Sequence, residues 1–557
     1  MPGLSKEVRP TATRAVHGLV GRTSELRRYE TPIALALTAG LVWLAQFHHF
    51  RDFGLYEDDY WFISEAMGKN LDYLARRFTI AFTTLPQGRP FGFFLPDLFS
   101  FVGDKLGGLA GIYLLGFAIV TLNTFLCFRL LRMRVPPGPA AVGAAVFCLF
   151  PSDTTKILLT HDFQLQPSLT FALLSALAYT SGRKPLAYVV GTVALLSYEN
   201  GYLALFALPL FASRCWDKRL VRDQVRHALI LVGIVIGVVV VRYVAGESRA
   251  TSSVGGIGAI IPPFLGSLVL GPARSLEGML YGPVKAVPSW DLETVGAVAI
   301  GFVAFALILW SVPRVKADRV DGLKVVAAGA VMLVIAYALA FTHYPPNALV
   351  GRGTSVHLGA TLGMSVLSAG LAWLLLSIAP RAAAVVISAY LALTVGYYVT
   401  IEHDFMRSWQ LQRAFWQQVV ACCSDLQDGT VLIYTLSSSE EPTFIFTNSW
   451  ADPLVLGETF AFPSSWRNPP RLFSLTEWQS RVQADGDHLE WWVPAASWDE
   501  HWEELPQGNV ILLTRAADGS LVRETGSVEV AGQSLTLKPV GAPEVWASAQ
   551  LSSPLLH

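Results

Sequence analysis

The nine residues Gly54-Leu55-Tyr56-Glu57-Asp58-Asp59-Tyr60-Trp61-Phe62 set three consecutive acids shortly after the first long apolar run of the chain. Tyr60 and Trp61 follow at once, and such rings concentrate at the boundary between membrane and water. The carboxylates are therefore read at that boundary, where a low-dielectric neighbour raises carboxyl pKa values. A raised pKa suits a general base that takes a proton from a hydroxyl near neutral pH. The plainer alternative is that the acids mark the polar end of a spanning helix; one acid would serve that purpose, and three are present.

The composition fixes the surroundings of this stretch. Of 557 residues, 52% are hydrophobic and 15% charged, against about 25% charged in a soluble domain. This is the composition of a polytopic α-helical membrane protein. Apolar runs long enough to span, about 17 to 25 residues or slightly fewer where short spans pair, cover 31–49, 107–129, 137–151, 164–181, 185–198, 201–214, 228–245, 292–312, 323–342, 357–379 and 382–401. Eleven spans put the two termini on opposite sides of the membrane. The stretch 89–103 is also apolar, but Pro90, Gly92, Pro96 and Asp97 break it, and it is read as re-entrant or interfacial. The chain then divides into a cytoplasmic tail (1–30), a multi-span domain (31–401) and an external C-terminal domain (402–557).

Basic residues orient the spans, because short cytoplasmic loops carry the Lys and Arg excess. The loops assigned to the inside hold Arg129, Arg132 and Arg134; Arg183 and Lys184; Arg214, Lys218, Arg219, Arg222 and Arg226; Arg314, Lys316, Arg319 and Lys324; and Arg381. The N-terminal tail carries Lys6, Arg9, Arg14, Arg22, Arg27 and Arg28 without a small-residue cleavage site, and is read as retained inside the cell. Glu57 to Asp59, Asp153 to Asp162, Glu199, a long 246–290 loop and Arg352 then fall on the outer side. Beyond Ile401 the composition changes: ten of the 16 tryptophans lie there. Turn signals (Asp428-Gly429, Asp485-Gly486, Asp518-Gly519) separate apolar runs such as Val431–Tyr434 and Val510–Thr514. This pattern reads as a soluble α/β or mostly β domain. The formal charge of −1 says nothing about nucleic acid, and without a basic, aromatic-interleaved patch to suggest it, no nucleic-acid partner is expected. The five cysteines follow no metal-ligand spacing, and the adjacent Cys422 and Cys423 are read as free or irregularly paired thiols.

Several outer-side constellations can carry chemistry. After the acids, Trp61 to Phe82 reads as an amphipathic segment lying on the bilayer. Gln87-Gly88-Arg89-Pro90 follows; Arg89 suits a phosphate through its planar fork, or serves as an interfacial anchor. Asp153, Lys156, His161 and Asp162 fall within ten residues, either as a hydrogen-bonded loop contacting substrate or as a weak divalent-cation site. Glu199, in Ser197-Tyr198-Glu199-Asn200, lies where almost no residues are left for a loop, so it is either functional or paired with a residue such as Arg242. Arg352 sits between Gly351 and Gly353, which allow close approach to an anion; alternatively it pairs with an acid of the first loop.

Adjacent acids opening the first external loop, a downstream Gly88-Arg89-Pro90, a short-span pair with Glu199 at its tip and a late-loop arginine resemble the GT-C membrane glycosyltransferases. These include protein O-mannosyltransferases, lipid A aminoarabinose transferases and O-antigen glucosyltransferases. The resemblance covers residues 31–400 and has no counterpart for 402–557. It implies a polyprenyl-phosphate-linked sugar as donor, a lipid, glycan or protein as acceptor, and inverting transfer on the extracytoplasmic face of the cell membrane. By position, Asp58 or Asp59 would be the base. Arg352, with Arg89 or Lys156, would stabilise the departing lipid phosphate, whose charge grows in the transition state; Glu57, His161, Asp162 and Glu199 would line the substrate site. The competing classes are a lipid-linked saccharide transporter or flippase, expected to carry broken polar helices at mid-bilayer, and a glycan polymerase or ligase, expected to use a large external loop rich in Arg and His.

Overall fold

A computed structural model describes residues 30–245, 257–311, 319–338, 351–435, 452–493 and 501–542, with Ala340 and Pro346. Most of the tail assigned to 1–30, and His343 to Val350 apart from Pro346, lie outside these residues, as do Arg249, Arg314 and Lys316. The helices run in chain order as α1 (Glu30–Phe47), α2 (Asp59–Phe62), α3 (Leu71–Thr84), α4 (Pro90–Leu131), α5 (Pro137–Cys148), α6 (Leu159–Thr180), α7 (Lys184–Ser197) and α8 (Asn200–Ala212). They continue as α9 (Lys218–Val244), α10 (Ile257–Ala286), α11 (Leu292–Ser311), α12 (Arg319–Ile335), α13 (Thr361–Ile378, led by a 3-10 segment Arg352–Ala360) and α14 (Pro380–Cys422).

Among the described residues, each of the eleven apolar runs is helical over most of its length. Proline opens α4, α5, α7 and α14 within the first two positions, where its missing N–H costs nothing. Among the described residues, six helices are long and apolar enough to cross a membrane: Glu30–Phe47, Pro90–Leu131, Lys218–Val244, Leu292–Ser311, Arg352–Ile378 and Pro380–Cys422. On that length and composition the protein is membrane-embedded. The outer surface agrees, since Leu229, Ile236 and Val240 of α9 and Ile300 and Leu307 of α11 are more than half exposed. A soluble monomer seldom leaves so much contiguous apolar surface bare.

One stretch differs from the sequence reading, and a second takes a form that reading left open. The long external loop expected over 246–290 is a helix, α10, over most of its length. Its Gly271, Ser275, Gly278 and Gly282 recur at helical spacing, and they pack on Tyr337, Ser152 and Tyr397. Four prolines, 262, 263, 272 and 283, gave that stretch the look of a loop. The stretch 89–103 is likewise helical. It forms the first part of α4, which reverses at Gly107 and Gly108 (φ 60° at the latter), so that Gly103 lies against Gly111 and Ile112.

The sequence change at 402 marks no break in the backbone, because α14 runs on to Cys422. A four-stranded sheet follows, in the order β2-β1-β6-β7, with β1 (Val431–Thr435) parallel to β2 (Arg471–Leu475) and to β6 (Val510–Arg515), and β7 (Leu521–Arg523) antiparallel to β6. A second sheet of β3 (Val482–Asp485), β4 (His488–Val493) and β5 (His501–Glu504) and a hairpin of β8 (Ser527–Val530) and β9 (Gln533–Thr536) complete a strand-rich region. Gly429, Gly486 and Gly519 all take positive φ at the expected turns. One face of the first sheet packs on α14, with Phe415 and Tyr434 rings 4.9 Å apart and Gln418 accepting from the Leu521 N–H at 2.7 Å. All five cysteines are free.

Ion pairs and polar contacts join distant parts of the chain at both ends of the bundle. At one end Arg132 pairs with Glu30, Arg134 with the Ala212 carbonyl and Asp321, and Lys324 with the Arg214 carbonyl. The acidic stretch belongs to the other end.

Candidate functional site

Three connections meet at that end: Gly54–Phe62, Pro151–Asp162 and the 3-10 segment Arg352–Ala360. The first is clamped to the part of α14 beyond residue 401. Tyr56 Oη donates to the Phe405 carbonyl (2.9 Å), Tyr60 Oη to Gln412 Oε1 (2.9 Å), and the Trp409 ring covers Gly54, where a Cβ would collide with it. The chain then turns through Glu57 at φ 47°. A residue with a side chain held there is strained by about 1–3 kcal/mol.

The turn separates the acids. Asp59 has no solvent exposure; Thr160 donates to its Oδ1 from N and from Oγ1, both at 2.7 Å, and Tyr56 N donates to Oδ2 at 3.1 Å. Asp58, 8% exposed, points elsewhere and pairs with the Arg352 guanidinium, whose Nε lies 3.6 Å from Glu57 Oε2. Burial pushes the Glu57 carboxyl up to about 8, against the pull of Arg352, with Asp58 and Asp59 adding to the rise. Burial also raises Asp59, to about 7, although the Thr160 and Tyr56 donors oppose it.

The second connection braces the third. Thr154 Oγ1 and Thr354 Oγ1 are 3.0 Å apart, with the Thr154 N–H donating to the same hydroxyl at 3.1 Å. Behind Arg352, His357 Nδ1 lies 2.6 Å from Tyr337 Oη. Lys156 is turned inward, away from the role of phosphate ligand. It is 3% exposed, donates to the carbonyls of Phe147 (3.3 Å) and Cys148 at the end of α5, and sits 3.3 Å from Tyr398 Oη. A cation there complements the negative end of the helix dipole. Burial lowers its pKa and raises that of Asp153, whose Oδ1 accepts from Thr155 N and Oγ1. His161 is buried near Arg352. Asp162 is fully buried, and neither carboxyl oxygen has a hydrogen-bond partner among the described residues; Gly116 leaves room for it, since a Cβ there would stand 2.6 Å from Oδ2.

Arg89 and Glu199 form a second pair. Arg89 Nε donates to Glu199 Oε2 at 2.8 Å, its other arm reaches Oε1, and its guanidinium lies 4.0 Å from the centre of the Tyr198 ring. Burial would raise the Glu199 carboxyl, but the charge and hydrogen bonds of Arg89 outweigh it and hold the group below its usual range. Arg242, the partner anticipated from sequence, lies 3.9 Å off and donates to the Gly88 carbonyl instead. Arg89 is thus committed to a carboxylate. The two pairs are joined through the 3-10 segment, because Gly359 packs on the Asn200 carbonyl while Arg352 begins the same segment.

No match to a protein-family model, a curated protein or a solved structure was found. Of the residues singled out in the sequence, Glu57, Asp58, Asp59, His161 and Arg352 come together, Lys156 and Asp162 lie beneath them, and Arg89 and Glu199 pair apart. Sequence reading missed Thr160, Thr154 and Thr354, which fix this arrangement. Thr160 stands directly before His161-Asp162, and its proximity to Asp59 has no signal in a single chain.

Proposed function

We propose that the chain is a GT-C-like membrane glycosyltransferase that moves a sugar from a polyprenyl-phosphate donor to an acceptor hydroxyl on the extracytoplasmic face, with inversion. The pairing of Asp58 with Arg352 at the junction of three loops carries this reading, because it holds a base and an anion-binding fork in contact. A donor phosphate arriving at Arg352 competes with Asp58 for the guanidinium. Once displaced, Asp58 loses the neighbouring cation that favours its ionised form and becomes a stronger base. The acceptor hydroxyl gives its proton to Asp58 and its oxygen attacks the anomeric carbon. The bond from that carbon to the phosphate oxygen breaks, and the electron pair leaves with the lipid phosphate, whose growing charge Arg352 stabilises. Asp59, bound by three donors, positions the turn.

The contacts at the bundle ends support eleven spans. Two residues that touch at one end are separated by an even number of crossings. Asp59 with Thr160, Thr154 with Thr354, Arg89 with Glu199 and Asp58 with Arg352 all satisfy this if the eleven runs cross; a further crossing by residues 90–106 breaks the rule for Asp59–Thr160 and Arg89–Glu199, and one by α10 breaks it for Thr154–Thr354. With the N-terminal tail inside the cell, the same count supports an external strand-rich region.

The test is purified protein incubated with a panel of polyprenyl-phosphate sugars and read as release of free lipid phosphate. Release with one sugar, abolished in Asp58→Asn, is the expected result. Movement of the intact donor between leaflets without release would instead indicate a flippase.

A further inference from the structure

Away from the acidic turn, three parts of the chain bring imidazoles and carboxylates to one place. His48 and His49 follow the end of α1, Asp291 and Glu293 stand at the start of α11, and His403 lies on α14. His48 Nε2 and His49 Nε2 are each 2.7 Å from Glu293 Oε1, His403 Nε2 is 3.8 Å from Glu293 Oε2, and His403 Nδ1 is 3.6 Å from Asp291 Oδ2. His49 Nδ1 lies 3.6 Å from Asp52. Behind the first ring, Glu402 has no solvent exposure, and neither of its oxygens makes a well-aligned hydrogen bond among the described residues; its Oε2 stands 2.6 Å from His48 Nδ1.

We propose that His48, His49, His403 and Glu293 bind one divalent transition-metal ion of the zinc type, with Asp291 at the rim. Four-coordinate zinc with bonds of about 2.0–2.1 Å keeps its donors about 3.4 Å apart, so the spacings of 2.7, 2.7 and 3.8 Å from the three imidazoles to the Glu293 carboxylate change by less than about one ångström, while His403 swings farther to join His48 and His49. The donor set selects the metal class: imidazoles suit zinc, cobalt, nickel and copper, whereas magnesium and calcium take oxygen. The buried Glu402 supplies the independent indication. A carboxylate out of water needs a compensating charge, and a metal-bound histidine commonly turns its other ring nitrogen to such a carboxylate, which fixes the tautomer. His48 Nδ1–H facing Glu402 leaves Nε2 free to ligate. The site is open towards solvent, since Glu293 is 47% exposed. It ties the end of α1 and the start of α11 to the middle of α14, two residues before the Phe405 carbonyl that anchors Tyr56. This site does not depend on the glycosyl-transfer reading.

The experiment uses the full chain purified in detergent through a tag without histidines and stripped with a chelator. Cobalt(II) is titrated in and followed by visible absorption, which is intense for nitrogen-rich four-coordinate sites and weak for the hydrated ion, and bound zinc is counted by mass spectrometry. One ion per chain is expected, with affinity about 10- to 100-fold lower in Glu402→Gln, where all ligands remain. His49→Gln and His403→Gln should lose the cobalt spectrum while eluting as the parent does on gel filtration. Less than stoichiometric metal, unchanged binding in Glu402→Gln and His403→Gln, or loss of the ion only on His488→Ala at the exposed Asp485–His488–Glu490 group would overturn the proposal.

Discussion

Replacing each of the two adjacent aspartates by asparagine should have opposite consequences. Asp59 accepts two hydrogen bonds from Thr160 and one from the Tyr56 N–H. In Asp59→Asn the amide oxygen keeps one side of that set, and its NH2 group then faces a donor across the other. Losing a bond to a charged group costs about 1.5–3 kcal/mol, and a buried unsatisfied donor about 1–3 kcal/mol. Because burial raises the Asp59 pKa to about 7, part of the population is neutral at neutral pH, so a net loss near 2 kcal/mol is expected. Asp58→Asn should leave folding nearly intact, since Arg352 keeps Glu57 3.6 Å away. It should slow turnover at least about a hundredfold, the lower range of general-base catalysis, equivalent to about 2.7 kcal/mol of barrier. The assay pairs thermal unfolding in detergent with lipid-phosphate release at saturating donor. A stable Asp59→Asn protein that loses turnover, beside an active Asp58→Asn, would refute the assignment of roles; full activity in both would remove the turn from the chemistry.

Arg352→Ala should abolish donor binding, while Arg352→Lys keeps charge without the bidentate fork and retains part of the activity; unchanged donor affinity in Arg352→Ala would contradict the assignment. Glu57 binds its proton more tightly folded than unfolded, so its stabilising effect is complete below its ordinary pKa and is lost as pH rises through about 8. Thermal stability should therefore fall between about pH 4.5 and pH 8, and Glu57→Gln should flatten that slope. Cys215, the exposed thiol beside the Arg214–Lys324 contact, should react with an impermeant maleimide only after cells are opened, and a reporter fused at His557 should be active outside.

How much was legible in the sequence follows from the range of each interaction. The apolar runs declare helices by length alone, and the Asp-Gly turns declare themselves because only a few residues accept positive φ. Composition misled over α10, where prolines hid a face of small residues at helical spacing. The pairing of Arg89 with Glu199 joins positions 110 residues apart, and nothing in either neighbourhood names the other. The same holds for Asp59 and Thr160. The separation of Asp58 from Asp59 was foreseeable from the angle of about 100° between neighbours on a helical turn, whereas the choice of which one meets the arginine was not. If the eleven runs cross in turn, His48-His49, Asp291 and His403 each sit at the same end of an apolar run, a common address visible only once the runs are ordered.

The last helix imposes a phase as well as a distance. From residue 402 to Cys422 it rises about 32 Å without a break, gripping the acidic turn at Phe405, Trp409 and Gln412 and the sheet at Phe415 and Gln418. Anything the sheet holds is therefore delivered at a set height and on a set bearing relative to Asp58. One residue inserted between Gln412 and Phe415 would swing the sheet by about 100° around the shaft, leaving the acids untouched but facing away from whatever was being presented to them.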